Sequence, residues 1–433
     1  MRLQLDILNI KGVQFSEKTE ISNGVIHINR VELQNLLQAD ARFDRVDIEL
    51  ASPGEKCRIV QVHDVIEPRA KKNGSGEDFP GALGKQGPAG NGRTCVLRGA
   101  AVVLSDCNEK GHHPTRDPNG HIIDMSGPGA EKGIYGKTCN VVVLPYPADG
   151  VSPEDYRVAL TIAGLKTASY LAKAGRDVKA DDQEVYELPS TDVSQEGMEH
   201  LPRVAYIFQM LSMQWEPIPG EPILYGTNIE GIVPTVLHPN EVLDGAVLSS
   251  HLNICMETYV VQNHPVIKEL YKRHGKELYF AGVIISTAHN NPRDYERSAN
   301  IAANLCKWIL GADGAILTKA GGGAPEVAMS QTARMCERLG IKTTLALVPM
   351  TADISDARAE ASIIFNYPEL NAIVSMGNPS VSPVALPEME RVIGRAVPTL
   401  EGFPVSREHI RRLRWMTGWL CQSGNAKFTA VRY

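Results

Sequence analysis

Apolar and polar residues alternate at the start of the chain, with Leu3, Leu5 and Ile7 on one side and Gln4 and Asp6 on the other, the period of a half-buried strand. The period returns at Ile26 and Ile28, after an Asn23-Gly24 pair suited to the tight turn of an opening hairpin, and again at Val46, Ile48 and Leu50. Another strand is expected from Arg58 to Ile66, stopped by Pro68, whose nitrogen cannot donate to a ladder. Between Asn73 and Gly92 glycine and proline are dense and apolar residues sparse, which predicts a long surface loop. These features outline a β-rich N-terminal domain over 1–150.

A helix is expected from Pro153 to Ala174. Ser152 can cap it, Pro153 suits its first turn, and Val158, Ile162, Leu165 and Leu171 recur at helical spacing. It reads as a helical bridge over 151–202. From Arg203 the pattern becomes strand and helix in alternation. Apolar strands are expected at Val204–Phe208, Tyr279–Ser286, Ala312–Thr318, Thr343–Val348 and Ala372–Ser375. Helical segments at Val266–Tyr271, Tyr295–Leu310, Pro325–Leu339 and Ser355–Ile363 supply crossovers, so 203–433 is expected to be a doubly wound, mainly parallel α/β domain.

In such sheets ligands sit where strands end and helices begin. Those ends hold Thr287, His289 and Asn290, then Lys319 with Gly321, Gly322 and Gly323, then Pro349, then Gly377 and Asn378. The triple glycine either lets backbone amides approach a carboxylate or phosphate, or simply makes a tight turn. Neither GxGxxG nor GxxxxGK[ST] is present, which counts against a dinucleotide-dependent oxidoreductase.

Composition narrows the partners. Charged residues make up 22% of the 433, and the formal net charge is -6, so no basic field would attract nucleic acid or anionic lipid. Arg2 and Asp6 interrupt the first strand, unlike the core of a signal peptide, and no apolar run has the length of a membrane span. A cytoplasmic protein is expected. Eight cysteines, at 57, 95, 107, 139, 255, 306, 336 and 421, form no CxxC pair, so reduced thiols are expected. Cys107, His112, His113 and His121 fit no standard metal spacing, and the adjacent His112 and His113 read as part of a solvated loop. Ser126, between turn formers, lacks a nucleophile elbow. Cys255 lies among His251, Asn253, Thr258 and Tyr259, where the strand and helix alternation becomes regular.

Longer strings go further. Lys18-Thr19-Glu20 with Asn23-Gly24-Val25, Val65 to Arg69 followed by Gly74-Ser75-Gly76, Ile123 to Ala130, and Ala174 to Val178 mark the first half. Asp244-Gly245-Ala246, Thr258-Tyr259, Gln262 to Ile267, Arg273 to Lys276 and Gly311 to Ile316 mark the second. Over nearly its whole length the chain resembles the proprotein family that yields two subunits of component B of glycine, sarcosine and betaine reductases.

The resemblance implies self-cleavage between Ile254 and Cys255, turning Cys255 into a pyruvoyl group; proximity in sequence alone makes Asn253, Thr258 and His251 the candidates for polarising the carbonyl or moving protons. It also implies that the ketone forms an imine with the substrate's amino group. A selenolate or thiolate on a separate component B subunit would then displace the amine, and a carrier protein would accept the carboxymethyl group. Lys319 with the glycine turn at Gly322, His289 with Asn290, and Asn378 are the candidates for holding the substrate carboxylate. Only Met256 and Glu257 separate Cys255 from Thr258-Tyr259, fewer residues than in the family, where an Asp-Lys-Asn-Pro-like run intervenes. Ser249-Ser250 is an alternative precursor, and an unprocessed, partner-binding scaffold an alternative role. The sequence does not choose among the substrates.

Overall fold

The computed structural model describes residues 1–72, 76–108, 121–189, 197–211, 220–249, 256–288, 292–319, 323–347, 367–375, 383–395 and 407–419. The fold is mixed α/β, with several mixed sheets in the first half and a larger, mainly parallel sheet in the second.

Two four-stranded sheets organise the first half. One runs in the order Asp182–Glu187, Arg2–Asn9, Gly92–Arg98, Arg69–Lys71; the other Phe43–Ala51, Cys139–Pro147, Ala100–Ser105, Val62–Ile66. Asn23 and Gly24, both at positive φ, join Glu20–Ser22 to Val25–Asn29, so the hairpin forms where its turn residues require. The first strand is not its other arm. Leu3, Leu5 and Ile7 pack into one core and Leu8 and Ile10 into another, so both faces are covered; the strand lies inside a sheet, parallel to Gly92–Arg98.

The long helix spans Pro153–Lys173, with Ser152 Oγ accepting from the Asp155 N–H at its start. Its buried residues, among them Tyr156, Leu160, Leu165 and Leu171, share one core with Leu97, Val102 and Leu104 of the first half and with Leu248. Gly164 permits this close packing, since a Cβ there would come within 2.6 Å of Leu104 and 2.8 Å of Ile66. The chain then returns through Asp182–Glu187 to pair with the first strand.

The second half centres on a six-stranded sheet ordered Thr235–Leu237, Tyr279–Thr287, Arg203–Met210, Gly314–Thr318, Lys342–Leu347, Ala372–Ser375. Thr235–Leu237 is antiparallel at one edge; the other five run parallel, in chain order 2-1-3-4-5. Residues alternate between two cores. Tyr206, Phe208 and Phe280 face Ile267 and Leu270 of the helix Pro265–Arg273. Ala205, Ile207 and Ala281 face Ala302 of Pro292–Asn304 and Met329 and Ala333 of Ala324–Arg338. The expected strands and three of the expected helices are found within a few residues, and Pro292–Asn304 passes into a π-turn at Leu305–Ile309. The expected helix Ser355–Ile363 lies outside the described residues.

Late segments reach back into the first half. Arg391–Ile393 pairs in parallel with Cys57–Ile59, and Ile122 exchanges backbone hydrogen bonds with Trp415 and Thr417. No described helix is long and apolar enough to cross a membrane.

Candidate functional site

Met256, Glu257 and Thr258, which follow the candidate cysteine, are all buried. Thr258 opens the short helix Thr258–Gln262 but does not cap itself; the cap comes from Asp64, 194 residues earlier. Asp64 Oδ1 accepts the Thr258 N–H at 2.9 Å and its Oδ2 accepts the Thr258 hydroxyl at 2.6 Å, a carboxylate placed at the positive end of a helix. The Ser249 N–H donates to Thr258 Oγ1 at 2.9 Å, so the residues on either side of 250–255 meet at one hydroxyl.

Glu257 points the other way, accepting the Tyr135 hydroxyl at 3.1 Å and the Gly418 N–H at 3.0 Å. Burial pushes its carboxyl up to about 7, and the charge of Asp64 adds to the effect. Burial, and then Glu257, push the Tyr135 phenol upward, so it remains a donor.

The far end of the same helix meets a charged network. The Glu67 carboxylate is shared by Arg69 and Arg98 and by the Asn263 amide at 3.0 Å. Burial raises the Glu67 carboxyl, but the two guanidinium groups outweigh it and hold the group below the ordinary glutamate value. Arg98 and Lys268 both pair with Glu184, at 3.0 and 3.1 Å. Against the cost of burial, they hold that carboxyl near 2.

At the carboxyl ends of the parallel strands, Lys319 is 2% exposed and pairs with Glu326 at 2.8 Å, while Gln209 Nε2 donates to the Pro325 carbonyl at 3.0 Å. Burial lowers the Lys319 ammonium and Glu326 partly restores it. The Tyr206 hydroxyl lies 2.5 Å from Thr318 Oγ1 and 3.3 Å from His264 Nε2, and burial drives the His264 imidazole down to about 3, so it is neutral.

Of the residues given a role in self-cleavage or in holding the substrate carboxylate, Thr258 and Lys319 are described, each with the partners above. His251, Asn253, Ile254, Cys255, His289, Asn290, Gly322, Asn378 and the alternative Ser250 lie outside the described residues. So do His112 and His113; among the described residues no cluster has metal-ligand character. Six described cysteines are free and buried, and burial pushes Cys57 and Cys95 to about 11 and Cys107 to about 12, values at which a thiol stays protonated. Sequence reading missed Asp64, Tyr135 and Glu257. Asp64 stands one residue before the Val65 to Arg69 string, the one local signal that pointed near it.

The family described as glycine/sarcosine/betaine reductase component B subunits matches residues 1–403. The glycine reductase complex component B subunits alpha and beta of Acetoanaerobium sticklandii are 37% identical over 403 residues, 91% of this chain and 89% of the relative. Two proteins of Peptoclostridium acidaminophilum are also similar. The sarcosine reductase complex component B subunit alpha is 36% identical over 91% of this chain and 89% of its own length. The betaine reductase complex component B subunit alpha is 34% identical over 91% and 88%. No solved structure matches the chain.

Proposed function

The chain belongs to the family of glycine/sarcosine/betaine reductase component B subunits, and from that premise we propose that it binds glycine or an N-methylated glycine for reductive cleavage of the carbon-nitrogen bond. It is matured by cutting its own backbone between Ile254 and Cys255. The observation that carries this reading is the construction around Met256 to Thr258, buried and tied at once to Ser249 and Asp64. The glycine-reductase relative, a single chain named as two subunits, supports it.

The chemistry balances with one water molecule for the keto group. The Cys255 thiol adds to the Ile254 carbonyl and the carbon-nitrogen bond breaks, giving a thioester and a free amine. Loss of the Cα proton and rupture of the Cβ–S bond part the chain and leave the sulfur on Ile254. Water then displaces ammonia, leaving a keto group at the new terminus. That group supplies an electrophilic carbonyl for the substrate's amino group, which no ordinary side chain offers. The flanks fit it: Met256 and Thr258 are shielded from water, and the described thiols are core residues.

The substrate carboxylate is assigned to the carboxyl ends of the strands. Lys319, fixed by Glu326, supplies positive charge, while Gly322, His289, Asn290 and Asn378 supply donors. Betaine, with no N–H, would not react with the ketone in this way. The chain works in the cytoplasm with a selenocysteine- or cysteine-bearing component B subunit and a carrier protein that receives the carboxymethyl group. We read its architecture as a β-rich unit over 1–150, a bridge over 151–202 and a doubly wound unit over 203–433, supported by the 2-1-3-4-5 strand order.

Intact mass spectrometry after coexpression with that subunit tests the proposal. Fragments 1–254 and 255–433 are expected, the second lighter than encoded and labelled by a hydrazine. A single uncut species would overturn it and leave an unprocessed scaffold.

A further inference from the structure

We propose that Asp64 is a positioning residue for the self-cleavage just described, holding both ends of the segment 250–255 in one register through the hydroxyl of Thr258. The inference rests on that functional reading and adds a residue from the opposite half of the chain.

A threonine hydroxyl has one proton to give. Here it goes to Asp64 Oδ2, at 2.6 Å, and the oxygen's acceptor side takes the Ser249 N–H at 2.9 Å. Thr258 therefore has no hydroxyl proton left to polarise the Ile254 carbonyl while these bonds are in place; its part is to join Ser249 to the residues after Cys255. Asp64 is itself held firmly. It lies on the strand Val62–Ile66, paired with Ala100–Ser105, and its Oδ1 accepts the Val65 N–H at 2.8 Å as well as the Thr258 N–H. The carboxylate thus fixes the direction of the hydroxyl, and the hydroxyl fixes the spacing between Ser249 and Thr258.

Fixed ends matter because attack of a thiol on the carbonyl just before it requires a strained, near-attack arrangement that a loosely tethered loop seldom visits. Asp64 would supply orientation and no proton transfer, which separates it from a catalytic residue.

The test compares cutting rates by intact mass in the full-length protein coexpressed with its partner subunit. Displacing such an attack by an ångström or so costs on the order of 100-fold in rate, the slowing expected for Thr258→Val and Asp64→Asn. Thr258→Ser, which keeps the hydroxyl, should cut within about threefold of the parent, a rescue that mere packing would not produce. Melting temperature is followed in parallel. If Asp64→Asn fails to fold, Asp64→Glu serves instead, retaining the charge but moving it by one methylene. Parent and all variants cutting at equal rates would overturn the role of Asp64 while leaving the proposed function standing. A parent chain that never cuts would instead remove the proposed function, and this inference with it.

Discussion

Glu67 and Gln262 grip each other across 195 residues of sequence: the Glu67 N–H donates to Gln262 Oε1 at 3.0 Å, and Gln262 Nε2 donates back to the Glu67 carbonyl at 3.2 Å. A side-chain amide here continues the backbone pairing just past the strand Val62–Ile66. Gln262→Ala would leave both groups of Glu67 buried without partners, at about 1–3 kcal/mol for each group. Chemical denaturation should show a loss of about 2–6 kcal/mol for the two groups together, with Gln262→Leu no better, because neither replacement can hydrogen-bond.

Glu67→Gln tests the charge of the same residue. Arg69 would lose its carboxylate, and breaking a buried pair by removing one partner costs about 3–5 kcal/mol. Because the folded Glu67 carboxyl is held below its unfolded value, its stabilisation is present above about pH 4.5. It should fade as pH falls through the folded value. Acid unfolding of the variant should lack that component.

Glu257 has the opposite sign. Its folded value of about 7 exceeds the ordinary 4.5, so the folded state holds its proton more tightly. Stability should fall as pH rises from about 4.5 to 7, by up to about 3 kcal/mol. The charge of Asp64 opposes its anion, whereas the hydrogen bonds donated by the Gly418 N–H and the Tyr135 hydroxyl favour it without offsetting burial. Glu257→Gln should flatten the stability curve across pH 5–7; an unchanged slope there would show that another group carries it.

Lys319 and Glu326 permit a separation of folding from binding. Lys319→Met alone leaves the Glu326 carboxylate buried without its cation, and the melting temperature should drop markedly. Adding Glu326→Leu removes the stranded charge and should recover most of the loss. Affinity for the substrate carboxylate, measured by calorimetry, should stay low in both. If the double variant regains affinity together with stability, Lys319 is structural and the carboxylate sits elsewhere.

The parallel sheet was legible because its strands are short apolar runs separated by helical repeats, a pattern set by burial on both faces. Position within the first half was less so. Leu3, Leu5 and Ile7 announce a strand, but nothing local says that its neighbours are Gly92–Arg98 and Asp182–Glu187, since register is decided by the whole core. Likewise Ser152 and Pro153 marked the start of a helix correctly, whereas its partners depended on Gly164 lying against Leu104 and Ile66. Around the candidate site, Thr258 stood out because it lies three residues from a cysteine. Asp64 did not, because a separation of 194 residues leaves no trace in a linear pattern.

The strand Arg203–Met210 lies between Tyr279–Thr287 and Gly314–Thr318, and Thr235–Leu237 is hydrogen-bonded to Tyr279–Thr287, so the proposed scission would fall between strands of one sheet. The two products would be interlaced, each missing the neighbours its own edges need. They would behave as a single inseparable body, made once from one parent. Mixing isotopically heavy and light preparations of the cut protein should therefore yield no hybrids, however long they stand together.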